Sequence, residues 1–186
     1  MEQADKPRHY RHELPVRDDN VDSSFKYEVV NQVGGEGLLN CLKCGACSGG
    51  CPVGSVIDYR PRNVLGQVLL GLKEEILTGE SIWLCAACFT CQERCIQEVN
   101  FTDVVTVLRN MASREGHAAP GYLKLAQMVL TNGRVSARTQ LVDRMREKLG
   151  LPPIQETDME RLRKIMEAGG LVRVLEANVE KEEATE

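Results

Sequence analysis

Eight cysteines carry the chemistry of this 186-residue chain, and all of them lie between positions 41 and 95. They fall in two runs of one design. The first is Cys41-Leu42-Lys43-Cys44-Gly45-Ala46-Cys47-Ser48-Gly49-Gly50-Cys51, followed by Pro52; the second is Cys85-Ala86-Ala87-Cys88-Phe89-Thr90-Cys91-Gln92-Glu93-Arg94-Cys95. Both read C-x2-C-x2-C-x3-C, a spacing that lets one short loop wrap three corners of a [4Fe–4S] cube. In two-cluster proteins with this run, the fourth cysteine is carried away from the loop and ligates the other cube. The expected ligand sets are therefore Cys41, Cys44, Cys47 and Cys95 for one cluster, and Cys85, Cys88, Cys91 and Cys51 for a second. No thiol is left over for a nucleophile or a redox-active pair, and no catalytic residue is expected.

Other uses of cysteine fit less well. Structural zinc takes four ligands, usually from two separated CxxC pairs, and has no need of a C-x2-C-x2-C triplet. A zinc-stabilised helical scaffold without a redox role remains the alternative of a different class. A disulfide framework suits small secreted domains, and this sequence opens on no signal peptide. The formal net charge of −4 argues against a nucleic-acid binder. No apolar run approaches the roughly 20 residues of a membrane span, since even Val64–Leu72 is interrupted by Gln67 and Gly71. These features together predict a cytoplasmic protein with no membrane or nucleic-acid partner. With 4% aromatic residues the core is modest, so bound clusters are expected to contribute folding free energy.

The elements that must position these cysteines read as helices. Residues 1–22 are charged and Pro-punctuated, an arm without apolar period, and His9 and His12 within it read as solvent-exposed. Ser23 or Ser24 caps a short helix over Phe25–Val33, with Phe25, Val29, Val30 and Val33 on one face. Gly45, Gly49 and Gly50 suit a backbone folded tightly around a cube. Pro61 opens a helix running to about Thr78, with Gly79 as its stop and Val64, Leu65, Val68, Leu69, Leu72, Ile76 and Leu77 as a core-facing stripe. Trp83 and Phe89 either shield the clusters or pack as ordinary core. Thr102 is expected to cap a helix over Asp103–Arg114. The order motif, helix, motif, helix makes the chain a repeat.

Three further helices are expected beyond Gly116. Pro120–Leu130 is apolar nearly all round and reads as buried. Ser136 caps Ala137–Leu149, with Leu141, Val142, Met145 and Leu149 on one face. Thr157-Asp158-Met159-Glu160 forms a capping box for a helix to Ala168. From Leu171 the chain alternates briefly, reading either as a short strand or as a frayed tail. The fold class is thus mostly α, in four parts: an arm over 1–22, a two-cluster domain over 23–116, a helical extension over 117–170 and a tail over 171–186.

Two C-x2-C-x2-C-x3-C motifs separated by a helix-length spacer resemble the α-helical ferredoxin family. Within it, Cys41-Leu42-Lys43-Cys44-Gly45-Ala46-Cys47-Ser48-Gly49-Gly50-Cys51-Pro52-Val53-Gly54, the spacer and Cys85–Cys95 are similar to the small iron–sulfur (C) subunits of the heterodisulfide reductases of methanogenic archaea. The resemblance covers about residues 23–150. It implies an electron-transfer protein that relays electrons one at a time through two [4Fe–4S] clusters. Its partners would be the A and B subunits of heterodisulfide reductase. The flavin-bearing A subunit would be the donor, and the catalytic B subunit, which reduces the mixed disulfide of coenzymes M and B, the acceptor. A hydrogenase or a formate dehydrogenase would be the indirect source of electrons. The second run departs from the first at Cys95, which is followed by Ile96 rather than proline. An iron–sulfur component of a fumarate-reductase-like or other heterodisulfide-reductase-like complex is the second reading. No Cys-Cys-Gly motif and no N-terminal C-x4-C-x2-C module is present. Lys43 and Arg94, one in each motif, are either charges that raise a cluster's potential or exposed solubilising groups.

Overall fold

The computed structural model describes residues 20–55, 60–136 and 138–183, with side chains described up to Asn178 except that of Ser55. Most of the N-terminal arm, including His9 and His12, lies outside the described residues. The described residues contain helices and turns and no strand. They divide into two compact units, one ending at Ala112 and the other beginning at Ser113.

In the first unit, α1 (Phe25–Val30) is followed by a 3-10 turn over Leu38–Asn40, α2 (Ala46–Gly49), α3 (Pro61–Leu70) and α4 (Lys73–Thr78). A second 3-10 turn over Ser81–Leu84 then leads to α5 (Thr90–Glu93) and α6 (Phe101–Arg114). The expected repeat is present: turn, cysteine loop, four-residue helix, long helix, twice over. One apolar core underlies both halves. It joins Phe25 and Val29 of α1, Leu38 and Ile82 of the two turns, Val64 and Val68 of α3, and Val104, Val105 and Leu108 of α6. Helix α1 stops earlier than expected, and Val33 beyond it is 95% exposed.

The single helix expected from Pro61 to Thr78 is two helices. Pro61 opens α3 as predicted, but Gly71 stops it at φ +83°. The Gly71 N–H donates to the Val68 carbonyl and the Leu72 N–H to the Gln67 carbonyl, both at 3.0 Å, the paired bonds of a Schellman close. The chain then restarts as α4, so Leu72, Ile76 and Leu77 still reach the core from a new direction. Gly71 also receives the incoming chain, because the Asp22 N–H donates to its carbonyl at 2.8 Å. The Asp22 carboxylate accepts from the Ser24 N–H and hydroxyl, so it takes on the capping role expected of Ser23 or Ser24. Those two bonds hold its pKa below the usual carboxylate value.

The second unit holds α7 (Pro120–Asn132), α8 (Gln140–Lys148), α9 (Met159–Ala168) and α10 (Leu171–Glu183). Leu171 begins a helix, neither a strand nor a frayed tail: Leu171, Val172, Val174 and Leu175 fall at i, i+1, i+3 and i+4, a helical face as well as a broken alternation. Asn178 on α10 knots the unit together. Its amide group donates to the carbonyls of Ser113 (2.9 Å) and Val174 (2.6 Å), and its oxygen accepts from the Ala118 N–H at 2.9 Å. Thr139 rather than Ser136 caps α8, accepting from the Val142 N–H, and Asp158 rather than Thr157 caps α9, accepting from the Arg161 N–H. Helix α7, expected to be buried, has no buried residue, and Leu141, Met145 and Leu149 on the α8 stretch are exposed as well. Among the described residues no helix is long and apolar enough to cross a membrane.

Gly71→Ala tests the close of α3. A Cβ there would lie 2.2 Å from the Asp22 carbonyl oxygen at a left-handed backbone position. The expected loss is about 2–4 kcal/mol, read as a fall of several degrees in the thermal midpoint of the cluster-loaded chain. An unchanged midpoint would exclude the constraint.

Candidate dicluster iron–sulfur centre

The two cysteine loops have the same backbone. Each begins with an extended cysteine after its 3-10 turn, Cys41 at φ −66°, ψ 113° and Cys85 at φ −65°, ψ 120°. Two residues on, Lys43 and Ala87 take left-handed conformations at φ +54° and +51°. After another two residues Gly45 and Phe89 do the same, at φ +89° and +62°, and open α2 and α5. Left-handed backbone at a non-glycine residue costs roughly 1–2 kcal/mol. Left-handed residues at every second position turn each loop sharply, and successive backbone N–H groups in such turns can form anion-binding concavities of the kind found at Fe–S sites. Of the three glycines expected to serve the first loop, Gly45 supplies the left-handed turn. Gly50 leaves room for the Arg94 side chain, and Gly49 has open space about it.

The loops bring the eight thiols together as two rings. Cys41, Cys44, Cys47 and Cys95 line one cavity of about 410 Å3, partly open to solvent, with Leu65 and Val99 among its apolar walls. Cys51, Cys85, Cys88 and Cys91 line a second of about 310 Å3, walled by Val53, Pro61 and Phe89. Phe101, the buried first residue of α6, lines both. All eight cysteines are free thiols. No three cysteine, histidine or acidic side chains among the described residues converge tightly enough to hold a single metal ion.

Polar surroundings differ between the rings. The Val99 N–H donates to Cys95 Sγ at 3.3 Å. The Thr90 hydroxyl lies 3.5 Å from Cys88 Sγ and, with the Thr90 backbone, holds that thiol's pKa below the usual value. Burial raises the Cys47 thiol and pushes the Cys91 thiol up to about 11, with the Thr102 side chain pulling the latter back. Thr102 is not the expected helix cap. The carbonyl of Asn100 accepts the N–H groups of Asp103 and Val104, so Thr102 falls inside the first turn of α6 and is buried. Its hydroxyl and the Gln92 side-chain oxygen are buried and make no hydrogen bond of ordinary length, although the hydroxyl is close enough to Cys91 to lower that thiol's pKa. The Thr102 hydroxyl, a donor left in this state at the second cavity, fits a sulfur-rich anionic group there, whereas the Gln92 oxygen can only accept.

Arg109 holds the second loop in place. Its guanidinium donates to the carbonyls of Ile82 (2.9 Å), Cys85 (2.6 Å) and Trp83 (3.4 Å), and lies 5.8 Å from the Trp83 ring centre. Trp83 thus packs under Arg109, whereas Phe89 is half exposed at the second cavity. The sequence carries a signal for Arg109, a charged residue set in an apolar stripe with Val105, Leu108 and Ala112. Arg94, read as a charge acting on a cluster or as an exposed group, is exposed and lies against Gly50 of the first motif.

The family described as "4Fe-4S dicluster domain" matches residues 37–99. The C subunit of the H2:CoB–CoM heterodisulfide,ferredoxin reductase of Methanothermobacter thermautotrophicus is 32% identical over 91% of this chain and 95% of its own length. The second iron–sulfur C subunit of the CoB–CoM heterodisulfide reductase of Methanocaldococcus jannaschii is 38% identical over 81% of this chain and 88% of its own. The C2 subunit of the H2/formate:CoB–CoM heterodisulfide,ferredoxin reductase of Methanococcus maripaludis is 36% identical over 68% of this chain and 71% of its own. An all-helical fold with two cysteine rings in a matched dicluster region defines an electron-transferring iron–sulfur protein with two [4Fe–4S] clusters. More narrowly, the chain belongs to the family of heterodisulfide reductase iron–sulfur C subunits.

Arg109→Ala strips a charged donor from three backbone carbonyls, a loss of about 2–4 kcal/mol. Anaerobic desalting of this variant is expected to remove iron preferentially from the second site, leaving about half of the eight irons of two cubanes. Full iron with an unchanged thermal midpoint would show that Arg109 does not brace the loop.

Proposed function

We propose that this chain is the electron-carrying component of a cytoplasmic heterodisulfide reductase complex. In this role it relays electrons one at a time from a flavin-bearing A subunit to the B subunit that reduces the CoM-S-S-CoB heterodisulfide. The observation that carries the proposal is the pair of four-thiol rings. Cys41, Cys44, Cys47 and Cys95 hold one cluster, and Cys85, Cys88, Cys91 and Cys51 the other, in line with the cavities they border. When bound, each [4Fe–4S] group supplies a one-electron couple. The thiolates fix its position, the Val99 N–H offsets charge on Cys95 Sγ, and the walls of Leu65, Val99 and Phe101 keep water back.

The names of relatives that couple H2 or formate to the CoB–CoM heterodisulfide support a reading of the electron source. On that basis a hydrogenase or a formate dehydrogenase feeds the complex indirectly. The two-cluster domain over 23–116 does the carrying. The extension over 117–170 exposes Leu141, Met145, Leu149 and Ile165 and is assigned to docking in the fixed complex.

Anaerobically purified protein is expected to hold about eight irons and eight sulfides per chain, with EPR of two interacting reduced cubanes. Stoichiometric zinc without that signal would overturn the reading. Native purification is expected to bring down the A and B subunits; a fumarate-reductase flavoprotein in their place would assign the chain to the other complex. Cys51→Ala is expected to damage the cluster of Cys85, Cys88 and Cys91 and spare that of its own motif. Loss confined to the Cys41, Cys44 and Cys47 cluster would show ligation within each motif instead.

A further inference from the structure

Threonines inside helices ordinarily satisfy their hydroxyls by donating back to the carbonyl four residues earlier. Three in this chain do so: Thr78 to Glu74 at 2.8 Å, Thr106 to Thr102 at 2.9 Å and Thr131 to Gln127 at 2.8 Å. Thr102 is different. It sits in the first turn of α6, where the residue four positions earlier, Glu98, lies outside the helix with φ +53° and offers no aligned carbonyl. The residue is 4% exposed, so water does not serve its hydroxyl either. The hydroxyl is therefore a buried donor that makes no hydrogen bond of ordinary length, on a side chain that lines the second thiol ring beside Cys91.

Among the described residues the first ring has no buried hydroxyl left unpaired: the Ser48 hydroxyl lies 4.0 Å from Cys47 Sγ but is only half-buried and already hydrogen-bonded. Arg62 is the second residue of α3, as Thr102 is of α6, and it borders the first cavity but is exposed to solvent. Its own N–H is committed to the Ser48 hydroxyl at 3.0 Å.

We propose that Thr102 donates its hydroxyl hydrogen to a sulfur of the second cluster, either Cys91 Sγ or an inorganic sulfide. It thereby holds that cluster's potential above the value the thiolates alone would set. A hydrogen bond to sulfur stabilises the more negative, reduced form, and it acts at full strength where water is excluded. Thr102 is a positioning and tuning residue, not a ligand. The inference rests on the ligand sets proposed above, since it requires a cluster held by Cys51, Cys85, Cys88 and Cys91.

Thr102→Val keeps the shape and deletes the donor, and Thr102→Ser keeps the donor. The measurement is a potentiometric titration followed by EPR on the full chain carrying both clusters, with iron content determined on the same samples. In Thr102→Val the reduced-to-oxidised ratio of one cluster at fixed poise is expected to fall about tenfold, a shift of about 59 mV for one electron. The other cluster should keep its midpoint, and Thr102→Ser should titrate as the unaltered chain does. If Thr102→Val sheds iron, Thr102→Ala, which adds no second methyl group, is titrated in its place with the same expectation. Two intact clusters with unmoved midpoints would overturn the role of Thr102 and leave the ligand sets standing. So would equal shifts of both midpoints, or a Thr102→Ser shift as large as that of Thr102→Val. An unaltered chain without two cubanes would instead refute the ligand sets.

Discussion

Neither ring of thiols is complete within its own half of the repeat. Cys95 of the second motif lines the cavity bordered by Cys41, Cys44 and Cys47, and Cys51 of the first motif lines that bordered by Cys85, Cys88 and Cys91. The rest of the first unit follows from that exchange. The short helices α2 and α5 must lie against each other, and Arg94 must cross onto Gly50. Phe101 must stand where it walls both cavities. Each half alone would supply only three of the four thiols that border its cavity, and only part of the shared core.

Local structure alone does not hold such loops. Lys43, Ala87 and Phe89 sit in left-handed conformations that disfavour side chains, and α2 and α5 are four residues long, well below the length at which an isolated helix is stable. Two of the ring thiols, Cys47 and Cys91, are shifted by burial toward the protonated form, which opposes their becoming ligands. What offsets these costs is the apolar platform of α1, α3 and α6 beneath the loops, together with the metal–thiolate bonds themselves, because ligand binding that exists only in the folded state is folding free energy. Arg109 adds rigidity where the second loop departs from its 3-10 turn.

The centre is legible in the sequence because cysteine spacing constrains chemistry directly, whereas helix punctuation depends on which of several caps wins. All eight thiols that the spacing singles out line the two cavities. Apolar periodicity places α3, α4 and α6, with Val64, Val68, Leu77, Val104 and Leu108 buried as expected. Gly71 reads as an interruption in a hydrophobic run, although a glycine inside a helical stripe is equally a stop; only the approach of Asp22 decides between them. Thr102 looks like a cap because threonine caps well, but the Asn100 carbonyl takes the first helical bonds. Helices α7 and α8 are legible from their own composition, but their burial is not. An apolar helix needs a surface to bury against, and in the second unit only Met166, Leu175 and Asn178 are buried among the described residues.

The repeat makes two sites of one shape and then distinguishes them through the residues that follow each helix start. Pro61 and Phe101 open α3 and α6, and the next residue in each case borders a ring: Arg62 the first, Thr102 the second. A guanidinium in solvent carries a full charge, but water and salt screen it within about 10 Å at ordinary ionic strength. A buried hydroxyl carries only a dipole, yet it is unscreened and fixed in direction. Backbone duplication would otherwise give two clusters of nearly equal potential and little preference for where an electron rests. With the loops held alike by left-handed residues at matching positions, the sites differ in the backbone donor to Cys95 Sγ and in their side chains. These are where the asymmetry of Arg62 and Thr102, and the second loop's own Arg109 and Thr90, are found.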